Sequence, residues 1–281
     1  MEVPDSEITQ IIDLAALRNE VAIKPKRKKL DLYEVNADNI AGDSVAGVVR
    51  SHNEDSFACC TKPDGYLSLA VVADGIGGSQ HGEVASSACI ATLIKSWRRF
   101  SGKYTDTTWE NAQDFLLHAV MEANELIYRT SVQNNIHMGT TLAAIQFADR
   151  YAVVVNVGDS RVYRLRDHQL CLLSTDHTPV AEAVARGELT WEEAKDSPFR
   201  HTITRAIGVS EFVVPQFRVV DHQPGDCYLL CSDGLTLHIP DEEICQEMDA
   251  CYDPIQCVEH LITKTLRKGA HDNVTIISIF A

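Results

Sequence analysis

Runs of short strands, interrupted twice by pairs of amphipathic helices, predict an α+β protein. Two mostly antiparallel sheets would pack face to face with the helices outside. The first run, 44–49, 56–60 and 66–73, reads as a meander in which Lys62-Pro-Asp-Gly65 is a turn. The helix pairs fall at about 83–99 (Val84, Ala88, Ala91, Ile94) with 108–130 (Phe115, Leu116, Ala119, Ala123, Ile127), and at about 241–248 with 254–267. Between the pairs, strands at 140–147, 151–157 and 161–165 are separated by Ala148-Asp-Arg150 and Gly158-Asp-Ser160, so hairpins are the expected connections. Strands return at 212–220, 226–232 and 274–280.

Two stretches stand apart from this pattern. Residues 1–40 read as an extension: Ser6 can cap a short helix whose apolar side includes Ile8, Ile11, Ile12 and Ala15, and the basic run Lys24-Pro-Lys-Arg-Lys-Lys29 then reads as a solvated linker or a docking signal. The segment 178–204, with Pro179, Gly187 and Pro198, is a mostly polar excursion of the kind that forms a flap, inside a domain spanning 41–281.

Composition narrows the function. At 281 residues, with 45% hydrophobic and 23% charged, the chain has material for a core and no apolar run long enough to cross a bilayer. The acidic start Met1-Glu-Val-Pro-Asp-Ser-Glu is unlike a secretory signal, so a cytoplasmic protein is expected. The 9 cysteines, odd in number and without Cys-x-x-Cys spacing, suit reduced buried thiols better than disulfides or zinc. A formal net charge of −15 argues against a nucleic-acid partner.

Chemistry concentrates where strands end. Leu69-Ala-Val-Val-Ala-Asp-Gly-Ile-Gly-Gly78 is an apolar strand that stops on Asp74 and glycines; Cys227-Tyr-Leu-Leu-Cys-Ser-Asp-Gly234 repeats the figure, and Asp272 stands just before a final strand. If these strands share a sheet, Asp74, Asp233 and Asp272 meet at one edge of it. Converging carboxylates repel unless a cation lies between them, and oxygen ligands suit Mg2+ or Mn2+. Asp159, in Asn156-Val-Gly-Asp-Ser-Arg161, occupies an equivalent strand-end position. Arg50-Ser-His-Asn-Glu-Asp55 places an arginine able to grip phosphate beside Glu54 and Asp55, in what is otherwise a charged surface turn. A lone Asp-Gly is more often a tight turn, so the combination carries the signal. A dinucleotide fingerprint is excluded, because its third glycine would fall on Gln80 and Asp74 would face the pyrophosphate. There is also no phosphate-loop lysine motif.

The chain resembles the metal-dependent Ser/Thr protein phosphatases (PPM, type 2C), in a form like the bacterial branch. The resemblance spans about 43–281 and rests on Arg50-x-x-Asn-Glu-Asp55, Val72-Ala-Asp-Gly-Ile-Gly-Gly78, Gly139-Thr-Thr141, Asn156-x-Gly-Asp-Ser-Arg161, Thr175-Asp-His177, Thr204-Arg-Ala-Ile-Gly208, Cys231-Ser-Asp-Gly234 and Asp272-Asn273, in family order. It implies a four-layer α-β-β-α sandwich with two metal ions at one end. Asp74 would bridge the ions, the Gly75 carbonyl would bind one, and Asp233 and Asp272 the other. Glu54 and Asp55 would touch a metal or its waters, and Asp159 with Asp233 would hold a third, weaker ion. Arg50 would hold the substrate phosphate. The implied reaction is hydrolysis of phosphoserine and phosphothreonine by in-line attack of metal-bound hydroxide, with no phospho-enzyme. Animal members carry a histidine where this chain has Ile76, which leaves the proton donor open; metal-bound water is the expectation, over His52 or His81.

The resemblance implies phosphorylated proteins as partners, including a Ser/Thr kinase or its substrates, and a monomer. Two rival readings are a phosphatase-fold binding or regulatory protein with a relic site, and an enzyme acting on a small phosphorylated molecule.

Overall fold

The computed structural model describes residues 35–62, 66–77, 81–101, 108–194, 197–199 and 202–281. The expected helix and basic run before Val35 lie outside the described residues, as does the turn at 63–65.

The strands are β1 (Ile40–Val45), β2 (Asp55–Thr61), β3 (Leu67–Ile76), β4 (Gly139–Thr140), β5 (Leu142–Ala148), β6 (Tyr151–Val157), β7 (Arg161–Arg166), β8 (Gln169–Leu172), β9 (Gln216–Asp221), β10 (Cys227–Cys231) and β11 (Val274–Phe280). One sheet has the order β1-β11-β10-β7-β8. The other runs β2-β3-β5-β6-β9, with β4 pairing the end of β3. Every named pairing is antiparallel.

Helices α1 (His81–Ser101) and α2 (Trp109–Asn134) cover the β3 sheet; α6 (Asp241–Ala250) and α7 (Pro254–Arg267) cover the β11 sheet. The short helices α3 (Pro179–Ala185) and α4 (Trp191–Ala194) lie in the polar excursion, and α5 (Asp233–Thr236) follows β10. Local chemistry sets the ends. Thr108 and Asp253 accept hydrogen bonds from Asn111 N–H and Gln256 N–H at the starts of α2 and α7, and Asn135 closes α2 in the left-handed region at φ 52°.

The sandwich interior follows from the two-residue period of strands. Ala70 and Val72 of β3, Ile145 of β5, Val154 of β6, Tyr228 and Leu230 of β10, and Ile277 and Ile279 of β11 form one buried cluster between the sheets. Their odd-even neighbours, such as Leu69, Val71 and Ala73, pack instead against α1 and α2. Val35 is buried in the inter-sheet cluster, and Asn36 bridges to Tyr66.

Four sequence expectations are corrected. Residues 46–49 are not strand and the first three strands are no meander: Gly47, at φ +77°, turns the chain out of β1, which pairs β11, so that it can cross to β2 in the other sheet, and Val48 and Val49 are exposed. Likewise Gly158-Asp-Ser160 is no hairpin. It crosses from β6 in one sheet to β7 in the other. Strand β9 starts at Gln216 rather than 212, since Pro215 has no N–H to give a ladder. The edge strand β8 was not foreseen; it pairs β7 through a two-residue turn in which Asp167 and His168 both have positive φ (51° and 62°). Among the described residues, no helix is long and apolar enough to cross a membrane.

Candidate metal centre and phosphate site

The inward rows that are apolar in mid-sandwich turn polar at one end. Continuing Ala70 and Val72 by two residues reaches Asp74; continuing Leu230 reaches Ser232; running back from Ile277 reaches Thr275 and Asn273. Asp55, opening β2, is the cross-strand partner of Asp74. These groups therefore meet between the sheets. The expectation of one shared sheet edge is corrected accordingly: Asp74 belongs to the β3 sheet, while Asp233 and Asp272 adjoin β10 and β11 in the other.

Backbone and hydroxyl bonds fix the carboxylates. Thr141 Oγ1 accepts from Asp74 N–H at 3.0 Å, and the Asp74 carbonyl accepts from Thr140 Oγ1 and Thr141 N–H, each at 2.8 Å. Ser232 and Thr275, from the opposite sheet, donate their hydroxyls to Asp55 Oδ2 at 2.8 and 2.6 Å. Asn273 ties the crossing segment down: its Oδ1 accepts from Glu54 N–H at 2.9 Å, and its amide donates to the Ala46 and His52 carbonyls at 3.0 and 2.8 Å.

The glycines after Asp74 and Asp233 serve close approach rather than a tight turn. A Cβ on Gly75 would strike the backbone of Gly82 and Glu54, and one on Gly234 would strike the Asn273 carbonyl. Neither residue has positive φ. Gly82, at the start of α1, is needed for the same reason, because a Cβ there would come within 2.9 Å of Glu54 Cδ and the Gly75 carbonyl.

The site is electrostatically frustrated. Burial pushes Asp74 and Asp233 well above the ordinary carboxylate range, and repulsion adds to it: Asp55, Asp233, Asp159 and Asp272 act on Asp74, and Asp159, Asp272 and Asp55 on Asp233. Burial raises Asp55 to about 6, against its two hydroxyl bonds. Asp159 is also raised to about 6, by burial and then by Asp176, which pairs with Arg161. Arg50 donates to Asp272 Oδ2 at 2.8 Å, and its pKa is raised by that bond and by Glu54 and Asp74.

The donor set fits hard divalent cations. It is all oxygen, Asp74, Asp233 and Asp55 are held above the ordinary carboxylate range, and Asp55 Oδ1 is buried with no hydrogen-bond partner. Among the described residues no group of three or more His, Cys, Asp or Glu side chains forms a ready-made metal cluster; Asp272 is turned to Arg50 instead. The nearby histidines are not buried in the cluster: His52 is exposed and bonded to Ser51 Oγ, and His81 opens α1. All nine cysteines are free thiols, with Cys59, Cys171, Cys227 and Cys245 half-buried. A cavity of about 340 Å³ between α1 and α2, lined by Arg99, Phe115, His118 and Glu122 among others, holds none of these groups.

Sequence reasoning named every carboxylate but not what holds them. Thr275 and Gly82 were missed, and Ser232, Asn273, Thr140 and Thr141 entered without roles. The period-two continuation of the inward rows is the signal that could have found Ser232 and Thr275.

An antiparallel sandwich clothed by helices gathers carboxylates from both sheets and an arginine at one end, an arrangement able to take divalent cations beside a phosphoryl group. Comparison with known proteins makes the assignment specific: residues 47–267 match the Protein phosphatase 2C model, and the chain belongs to that family. It is 34% identical over 235 residues to the serine/threonine phosphatase stp of Listeria monocytogenes, covering 83% of this chain and 92% of that protein. It is 37% identical over 242 residues to the serine/threonine protein phosphatase PstP of Mycobacterium tuberculosis, covering 84% of this chain and 44% of that longer protein. The crystal structure of that PstP/Ppp superposes with a TM-score of 0.76 at 35% identity, covering 86% of this chain and 97% of that one. A PstP catalytic domain in complex with 2 manganese ions gives 0.71 at 34% identity, covering 85% and 96%.

Proposed function

We propose that Asp74, Asp233, Asp272 and the Gly75 carbonyl hold two divalent cations, Mn2+ or Mg2+, for the hydrolysis of phosphoserine and phosphothreonine in proteins, with Arg50 gripping the phosphoryl group. The chain is a metal-dependent protein serine/threonine phosphatase. The reading rests on one observation: carboxylates of both sheets converge at the sandwich end with Asp55 Oδ1 orphaned, while Arg50 stands at their rim on Asp272.

The ions supply Lewis acidity and a nucleophile at neutral pH. The chain's own residues supply the rest. Arg50, exposed at the rim, presents a planar fork of donors that can exchange Asp272 for phosphoryl oxygens. Asp55 and Glu54 would hold the ions or their waters, and Asp159 with Asp233 would hold a third. With Ile76 after the Asp-Gly pair and His52 facing solvent, no side chain is assigned as proton donor to the leaving serine or threonine oxygen, and water, as a ligand of a bound ion, would serve.

In this reading the expected phosphatase domain of 41–281 reaches back to Val35, which is buried between the sheets, with 178–204 as its flap and the preceding residues of 1–40 as an extension. The protein works as a cytoplasmic monomer against a Ser/Thr kinase or its substrates.

The test is hydrolysis of a small aryl phosphate and a phosphothreonine peptide with Mn2+, with Mg2+ and with EDTA, beside Asp233→Asn. Turnover that needs metal and vanishes in the variant is expected. A folded protein inactive with either metal would return the chain to the binding-protein reading.

A further inference from the structure

The catalytic strand end is continuous with an apolar loop that the reaction does not use. Gly75 and Ile76 of β3 pair with Thr140 and Gly139 of β4, and Thr140 in turn bridges to Ile207 through hydrogen bonds of 3.0 and 2.8 Å. Beyond Ile207 the chain is held firmly. Asn124 of α2 accepts from Gly208 N–H at 2.8 Å and donates to the Ser210 and Glu211 carbonyls at 3.1 and 3.0 Å. Gly208, at φ +85°, packs on Ile127, and Val213 is buried in the α1/α2 core.

Anchored this way, the loop turns three large apolar side chains outward. Val209 is 59% exposed, Phe212 77% and Val214 68%. Val209 also lies on β4, since a Cβ on Gly139 would come within 2.6 Å of its Cγ2. Apolar side chains held out by a fixed backbone mark a binding surface, and prior ordering lowers the cost of association.

We propose that Val209, Phe212 and Val214 form a docking shelf for an apolar side chain of the phosphoprotein substrate. The inference rests on the phosphatase reading above. Continuity with the phosphate site selects this occupant. Ile207 lies two strand spacings, about 10 Å, from Gly75, and an extended peptide advances about 3.3 Å per residue. The side chain received is therefore three to five residues from the phosphorylated one.

The full chain with Mn2+ is assayed as wild type and as the triple variant Val209→Ser, Phe212→Ser, Val214→Ser. The substrates are a small aryl phosphate and two sets of phosphothreonine peptides, with leucine or serine three to five positions from the phosphothreonine. Wild type is expected to favour a leucine peptide about tenfold or more in kcat/KM, through KM, as expected for burying one such side chain. The triple variant should lose that preference while its aryl phosphate turnover stays within about twofold, and Phe212→Leu should retain most of it. No leucine preference in wild type, or a preference that survives in the triple variant, overturns the shelf. Loss of wild-type self-association in the variant, seen by sedimentation, also overturns it in favour of a second copy as occupant. Absence of aryl phosphate turnover in wild type sinks the phosphatase reading instead, so the two failures are distinct.

Discussion

Asp55→Asn tests the frustrated site without any substrate. Asp55 is 8% exposed, and its pKa is raised from an ordinary 3.8 to about 6. Holding it ionised costs the metal-free fold roughly 3 kcal/mol at neutral pH, at about 1.4 kcal/mol per tenfold change. An asparagine removes that cost, and its amide can donate where Asp55 Oδ1 has no partner. Against this, the hydroxyls of Ser232 and Thr275 each lose a charged acceptor, worth about 0.5–1 kcal/mol apiece. The net gain is about 1–2 kcal/mol, or roughly 2–6 °C in Tm for a chain of this size. In EDTA at pH 7.5, then, Asp55→Asn should melt above wild type. In Mn2+ the order should narrow or reverse, because wild type gains more from the ion by mass action. The pH sign follows from the raised folded-state value: the penalty is absent below the unfolded pKa near 4, grows through 4 to 6 and is full above. The EDTA advantage should accordingly vanish near pH 4. A variant that melts below wild type in EDTA, or that keeps the full Mn2+ increment, would refute the reasoning.

Arg50→Ala removes the phosphate fork and frees Asp272, so kcat/KM for a phosphopeptide should fall about 30- to 100-fold while Mn2+ binding by calorimetry tightens; unchanged metal affinity would show the Arg50–Asp272 pair to be idle. His177 is buried, accepts from Gly158 N–H through Nδ1 at 3.0 Å, and has a pKa lowered to about 4 by burial and then Arg205. Its stabilisation is complete above the unfolded value near 6.5 and is lost as pH falls towards 4, so urea melts of wild type and His177→Asn should converge by roughly 2 kcal/mol from pH 7 to pH 5. For His52→Ala and His81→Ala, turnover should stay within tenfold of wild type; a loss of several hundredfold in either would identify the missing general acid. Deleting residues 1–30 should leave aryl phosphate hydrolysis intact, and a folded but inactive truncation would make the extension part of the active unit.

Sequence alone determined the chemistry. Apolar strands bounded by Asp74, Asp233 or Asp272 announce themselves because local burial and a charged terminus are both written in consecutive residues, and helix pairs announce themselves through a 3.6-residue period. Partnership between strands is not local. Nothing in Asn156-Val-Gly-Asp-Ser-Arg161 distinguishes a hairpin from a crossing between sheets, and nothing near Asp55 names Ser232 or Thr275 as the hydroxyls that hold it from the other sheet. The same holds for the glycines: Asp-Gly reads as a turn, whereas Gly75 and Gly234 are fixed by backbone passing close by in space. Tertiary structure decided those points, because only the packing of the two sheets brings residues more than a hundred positions apart into hydrogen-bond range.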